Sequence, residues 1–322
     1  WIGQGRKERC SPGAWEKGEM RLLSLLLLWA FIVSGLKGGS DAEARGQAVG
    51  EGTVLVLGSG GLVGRYMMEW LRERGYTVAE VRNRNHVDLR VPGALDRFNA
   101  SDVRYCIFLA CEVGGSKFIE SSSQDVQIGI IESNLRIYQS VFPWLIERNV
   151  SFAFSSSYLQ STHNGYGVVK RLGEAWIHNL HGLGKVLRLW NVYGAEAVGL
   201  KSHVLSDWAQ GCASNGEARS LTNGMEERQF VHARDTAAAL GITMERHDEM
   251  DIVSDVSSGE WVTMKQAGSI LAAASDDTCD VTFSDARAGA RERLDSQLNG
   301  TLHRYWQPEV SLEDGCRELL GR

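Results

Sequence analysis

Tyr166 and Lys170 stand four positions apart in the stretch YGVVKRLGEAW, just after three serines, Ser155, Ser156 and Ser157. On a helix, positions i and i+4 share a face, so a phenol and an ammonium project side by side. The ammonium favours the phenolate, and the spacing predicts a tyrosine pKa lowered from its usual value of about 10. A phenol tuned this way passes a proton near neutral pH. The spacing is common among helices and gains its weight from a glycine-rich loop upstream.

That loop is GSGGLVG, with Gly58, Gly61 and Gly64 at three-residue intervals after the apolar run TVLVL. Strand, glycine loop and helix in that order let the backbone approach a pyrophosphate and turn the positive helix end toward it. The next strand ends Val81-Arg82-Asn83-Arg84. An acidic residue there suits an unphosphorylated ribose, whereas arginine suits a 2′-phosphate. NADP(H) is therefore the favoured cofactor, with NAD(H) the alternative. Asp88 is read as a partner of the adenine amino group or as a cap for the segment after it.

These groups need a scaffold. From Thr53 the sequence alternates strand and helix. TVLVLG and TVAEV flank a helix over 62–74, and a weaker third strand is placed around His86, Val87 and Asp88, with a helix opening near Pro92. VRYCIFLA, VSFAF and VLRLWNV read as further strands, separated by a long helix over 124–147, kinked at Pro143, and by the helix of Tyr166. The alternation predicts an α/β fold with a doubly wound parallel sheet. Beyond Gly194 the segments shorten. Residues 51–193 are read as a dinucleotide-binding domain. Residues 194–322 are read as mainly a smaller α/β substrate-binding region, some of whose segments return to the sheet.

The net charge of −6 and the lack of a basic tract argue against a nucleic-acid partner. Residues 1–50 read as a leader. From Met20, one arginine, an apolar run over 22–33 and a small-residue segment ending Ala42-Glu43-Ala44 have the order of a secretory signal peptide. An uncleaved anchor is the alternative and the only route to a membrane. The stretch before Met20 is read as untranslated or as part of a precursor. A working leader implies the secretory lumen or another organelle; without one the protein is cytoplasmic. Six cysteines show no metal spacing and permit disulfides without specifying them, and Cys106 reads as a buried free thiol. His178 and His181 lack carboxylate companions, so no metal is expected.

Taken in order, GSGGLVG, FLACEVGG, Asn134 in ESN, the serine run, YGVVK, RLWNVYG, RQFVHARD and WQPEVSLEDG resemble the extended short-chain dehydrogenase/reductase family of NAD-dependent epimerases and dehydratases. The resemblance spans most of 53–315. It implies a nucleotide-sugar substrate and hydride transfer between a nicotinamide and a sugar carbon. Tyr166 becomes the acid/base, and Lys170 the holder of the nicotinamide ribose. Ser157, with Ser156 as second choice, becomes the donor to the sugar oxygen. It implies cofactor contacts at Gly58, Gly61, Leu62, Val63, Gly64, Arg82, Arg84, Asp88, Leu109, Ala110 and Lys170. Substrate contacts fall at Val113, Gly114, Asn191 and Arg228, the arginine facing a diphosphate. A homodimer through the helices over 124–147 and 166–180 follows from the same resemblance.

Arg82-x-Arg84, Val113-Gly114-Gly115 and Ser202-His203-Val204 are locally similar to GDP-fucose synthases, which makes His203 an acid that protonates a sugar carbon. Two departures stand against that similarity. Ser157 or Tyr158 occupies the place of a cysteine, and Ser157 and Tyr166 are only nine positions apart. Epimerase/reductase is the leading reading. A dehydratase is weakened by Tyr158-Leu159 in place of an acidic pair, and a cofactor-binding scaffold without turnover is the remaining alternative. Glu174 is read as a helix-face ion pair rather than a catalyst.

Overall fold

The computed structural model describes residues 52–276, 278–286 and 298–322. The leader lies outside these residues. Among them, no helix is long and apolar enough to cross a membrane.

The first half alternates strand and helix. β1 (Thr53–Leu57), α1 (Leu62–Glu73), β2 (Thr77–Val81) and β3 (Val103–Phe108) are followed by short α2 (Ser116–Ile119) and long α3 (Gln124–Glu147). Then come β4 (Ser151–Ser157), α4 (Gly165–His178) and β5 (Gly184–Leu189). The second half holds β6 (Val192–Tyr193), α5 (Val204–Asn215), β7 (Glu217–Ser220), β8 (Glu227–Arg228), β9 (Val231–His232) and α6 (Ala233–Glu245). It closes with β10 (Val253–Val256), β11 (Val262–Thr263), α7 (Met264–Ala274), β12 (Asp280–Phe283) and α8 (Leu312–Leu319).

Six strands form one parallel sheet in the order β2-β1-β3-β4-β5-β10. The apolar runs in β1, β3 and β4 are buried on both faces, as a parallel sheet covered by helices requires. One face packs Phe108, Tyr138, Phe142, Phe152 and Phe154 beneath α3 and α4. The other packs Val54, Val56, Met67, Leu71 and Leu240 beneath α1 and α6. At Gly241 a Cβ would lie 2.3 Å from the Trp70 ring, so glycine lets α6 close on α1. A third cluster, including Leu205, Trp208, Leu271 and Cys316, holds the later elements together. A disulfide joins Cys212 on α5 to Cys279 beside β12. Cys106 is a buried free thiol.

Two readings need correction. No strand forms at 86–88 and no helix at Pro92. Asn83 Oδ1 accepts the amides of Asn85 at 3.0 Å and His86 at 3.2 Å, turning the chain locally. Val87, Leu89 and Leu95 anchor this loop in the core instead. The sheet's sixth strand is β10. α3 holds Pro143 inside one helix of the expected extent. Second, Glu174 does form an ion pair, but off its own helix: Arg188 on β5 donates Nε at 3.0 Å and Nη2 at 2.6 Å to its two oxygens.

Candidate functional site

The strand order reverses between β1 and β3, and ligands of open α/β sheets bind at the carboxyl edge of such a switch. Here the glycine loop after β1 meets the segment after β3. Gly58 has φ +92°, and its Cβ would lie 2.8 Å from the Ala110 amide nitrogen. The loop is stitched to the end of β2 by Gly58 N to Val81 O at 2.7 Å and Gly60 N to Arg82 O at 3.2 Å. At Gly60 and Gly64 a Cβ would also strike backbone, at 2.7 and 2.2 Å. Gly61 differs: among the described residues a Cβ there would meet only Gly58 O, at 3.4 Å, and it borders open cavity.

The cavity has a volume of about 630 Å³. Gly58, Gly61, Leu62, Val63, Gly64, Arg82, Arg84, Asp88, Leu109 and Ala110 line the end beside the glycine loop, and Val113, Gly114, Ser156, Ser157, Tyr166, Lys170, Asn191 and His203 also face it. Arg228 does not line it, although its charge reaches Tyr158. The site therefore unites residues spread over much of the chain.

At the serine end, the Tyr166 phenol is hydrogen-bonded to Ser157 and buried beside Lys170. The lowered tyrosine pKa expected from the sequence is not the net result in this structure. Burial pushes the phenol above its ordinary value, and Lys170 and Ser157 pull it back only in part. The spacing shows the attraction but not the enclosure. Lys170 is 2% exposed, donates to Ser155 O at 2.6 Å and contacts the Cys111 thiol. Burial works against its ammonium, yet Cys111 and Tyr166 hold it above its ordinary value.

Ser157 also caps the 3₁₀ turn over Tyr158–Ser161, accepting Leu159 N at 3.1 Å. Asn164 then caps α4 through Gly167 N at 2.9 Å, so the short gap before Tyr166 is a compact turn. Ser156 donates to Glu174 Oε1 at 2.5 Å, tying it to the Arg188 pair. Tyr158 stacks on Trp190 at 4.9 Å and donates to Asn191 Oδ1 at 2.9 Å; burial raises its pKa to about 12.

The residues at the glycine-loop end are of a kind that suits an anionic dinucleotide. Arg82, Arg84, Arg90, Lys170 and Lys201 line the cavity against two carboxylates, Asp88 and Glu112. Both carboxylates are engaged. Asp88 accepts Arg90 Nε at 2.8 Å and Nη2 at 2.6 Å, and these bonds lower its pKa to about 2. Glu112 pairs with both Arg84 and Lys201. The N-terminus of α1 has no side-chain cap and no acidic residue in its first turn, leaving its amides for a phosphate.

Several roles, and some residues, escaped the sequence reading. Asn134 grips Glu112 by both backbone groups, from Glu112 N at 2.9 Å and to Glu112 O at 3.1 Å. Gly114 and Gly115 admit the loop at 199–203: a Cβ at Gly115 would lie 2.1 Å from Ser202 O. The motif's glycines thus serve contact between loops. Glu196, Lys201 and Cys111 carried no spacing signal, since only the fold brings them to the site.

The family model for the NAD dependent epimerase/dehydratase family matches residues 54–257. A protein of Oryza sativa subsp. japonica named as a GDP-L-fucose synthase 2 is 26% identical, over 83% of this chain and 85% of its own length. One of Methanocaldococcus jannaschii named as a UDP-glucose 4-epimerase is 22% identical, over 83% of this chain and 97% of its own. The solved UDP-N-acetylglucosamine 4-epimerase of Methanobrevibacter ruminantium shares the fold with a TM-score of 0.71 at 16% identity, covering 84% of this chain and 97% of that one. The match extends from β1 through β10 and takes in both the glycine loop and Tyr166, and this chain belongs to the NAD dependent epimerase/dehydratase family.

Proposed function

We propose that this protein is a nucleotide-sugar epimerase/reductase in which Tyr166 is the acid/base, with NADP(H) favoured over NAD(H). The observation that carries the reading is one cavity joining the Tyr166–Ser157–Lys170 cluster to a glycine loop flanked by Arg82 and Arg84. A bound nicotinamide supplies hydride chemistry at a sugar carbon. The phenol gives or takes the proton of the sugar oxygen, and Ser157 donates to that oxygen. Lys170 orients the ribose and opposes the burial that keeps the phenol protonated. Asn191 and Arg228 are the candidate contacts for the sugar nucleotide, with His203 a second proton-transfer group. The region after Gly194 supplies the substrate side, and β10 returns to the sheet.

Incubation with a panel of UDP- and GDP-sugars and NADPH or NADP⁺, read by mass spectrometry, tests the reading. Cofactor binding without conversion of any sugar would leave a scaffold. Arg84→Ala is expected to weaken NADP⁺ binding about tenfold, or about 1.4 kcal/mol, while NAD⁺ changes little. Isothermal titration with both cofactors checks this, and equal losses for the two would remove Arg84 from the 2′-phosphate site.

The reading also includes a homodimer through α3 and α4. Ile128, Val168 and Leu172 leave apolar surface exposed on these helices. Leu172→Glu is expected to turn dimer into monomer in sedimentation velocity runs; a parent protein that sediments as a monomer rules out this interface.

A further inference from the structure

We propose that Glu196 is a positioning residue that fixes the His203 ring so that Nε2 exchanges a proton with a sugar carbon in the cavity. The inference rests on the reading of the cavity as a nucleotide-sugar site.

Glu196 and His203 bracket the loop between β6 and α5. His203 holds the cap position of α5, but its side chain makes no capping bond. Its ring turns to Glu196 instead, with Nδ1 2.9 Å from Oε1 and 3.1 Å from Oε2. The His203 amide donates to the same Oε1 at 2.6 Å, so one carboxylate fixes both the ring and its backbone. The loop is itself anchored. Gly115 N donates to Lys201 O at 2.8 Å, and Ser202 Oγ donates to Gly199 O at 2.7 Å.

The carboxylate dictates the tautomer. Burial raises the Glu196 pKa, but the bonds from His203 outweigh it and leave the group below its ordinary value. An ionised carboxylate only accepts, so Nδ1 carries the proton in the neutral ring. The lone pair is then on Nε2, which has no hydrogen-bond partner among the described residues. His203 lines the same cavity as Tyr166 and Asn191. A charged pair that merely pinned the loop would not need an imidazole at the cavity wall.

The chemistry is proton transfer next to a carbonyl. Nε2 takes the proton from a carbon adjacent to the carbonyl of a keto-sugar nucleotide. The C–H electron pair forms a C=C bond, and the carbonyl oxygen gains the charge beside Tyr166. The imidazolium, facing ionised Glu196, returns a proton to the carbon. The sequence needs no oxidant and leaves the protein unchanged.

The test uses the full chain and the variants Glu196→Gln and Glu196→Asp. Nitrogen-15 imidazole spectra, with the His203 signal identified by its loss in His203→Gln, are expected to show an Nδ1–H ring in the parent and in Glu196→Asp. Glu196→Gln is expected to show an Nε2–H ring or a mixture. In D₂O with NADP⁺ and either GDP-L-fucose or UDP-glucose, deuterium incorporation into the sugar is expected to fall at least about tenfold in kcat for Glu196→Gln. KM and the first round of NADP⁺ reduction should stay within about twofold, and Glu196→Asp should recover most of the exchange. An Nε2–H ring in the parent overturns the proposal. So does equal exchange by parent and Glu196→Gln, or NADP⁺ reduction by the parent without deuterium entering the sugar. If neither sugar reduces NADP⁺, the cavity reading fails, while the tautomer still decides what Glu196 does.

Discussion

Tyr166→Phe is expected to lower turnover about 10²–10⁴-fold, the usual contribution of a positioned acid/base. By transition-state arithmetic that is about 3–5 kcal/mol of barrier. The substitution is a clean test because it removes little else. Phenylalanine keeps the ring that packs in the sheet's helix-covered core, and only the bond to Ser157 is lost. Stability should therefore change by about 1 kcal/mol, and NADPH fluorescence on binding should persist. The loss should fall in kcat with KM little altered, since the phenol's proton matters when the sugar oxygen changes charge. Ser157→Ala should act in the same direction with a smaller effect, because the oxygen keeps its acid. Steady-state kinetics on whichever nucleotide sugar the panel identifies, beside a thermal melt, measures both. A Tyr166→Phe enzyme retaining most of its turnover would end the assignment.

What the sequence disclosed depends on how local each cause is. The glycine loop, the serine run and the Tyr166–Lys170 pair are short contiguous signals, and the structure brings them to one cavity. The parallel sheet was legible because buried strands leave unbroken apolar runs in β1, β3 and β4. The false strand at His86–Asp88 shows the limit of that signal. Val87 and Leu89 are buried, but as anchors of a turning loop that Asn83 bends back on itself. The Tyr166 pKa shows another limit. Four-residue spacing reveals the ammonium, whereas burial depends on walls contributed by distant segments. Glu174 had a partner within sight on its helix and took Arg188 from β5 instead. Pairings made across the fold, such as Glu112 with Lys201 or Asn134 with the Glu112 backbone, have no sequence period and needed the structure.

Gly64→Ala and Gly61→Ala should separate folding from cofactor binding within one loop. At Gly64 a new Cβ would lie 2.2 Å from Gly58 O and 2.7 Å from Ser59 Cα, both backbone. Neither atom can rotate away, so the loop must lift from α1. Alanine's better helix propensity favours the substitution by up to about 1 kcal/mol. Overpacking of this kind typically costs about 1–3 kcal/mol, and a clash with backbone belongs at the upper end. The clash wins, and Gly64→Ala should lower the melting temperature by several degrees as well as abolish dinucleotide binding. Gly61 has φ −78° and ψ 176°, which any residue adopts, and its Cβ meets no protein atom closer than 3.4 Å. Gly61→Ala should therefore melt with the parent protein. Its methyl group stands in the open cavity where a phosphate would approach the α1 amides, so NADP⁺ affinity should fall at least about tenfold, roughly 1.4 kcal/mol. Calorimetric titration and thermal melts on the two variants check both halves. If Gly61→Ala binds NADP⁺ as tightly as the parent does, the open space beside this loop is not where the pyrophosphate lies, however well the rest of the cavity fits.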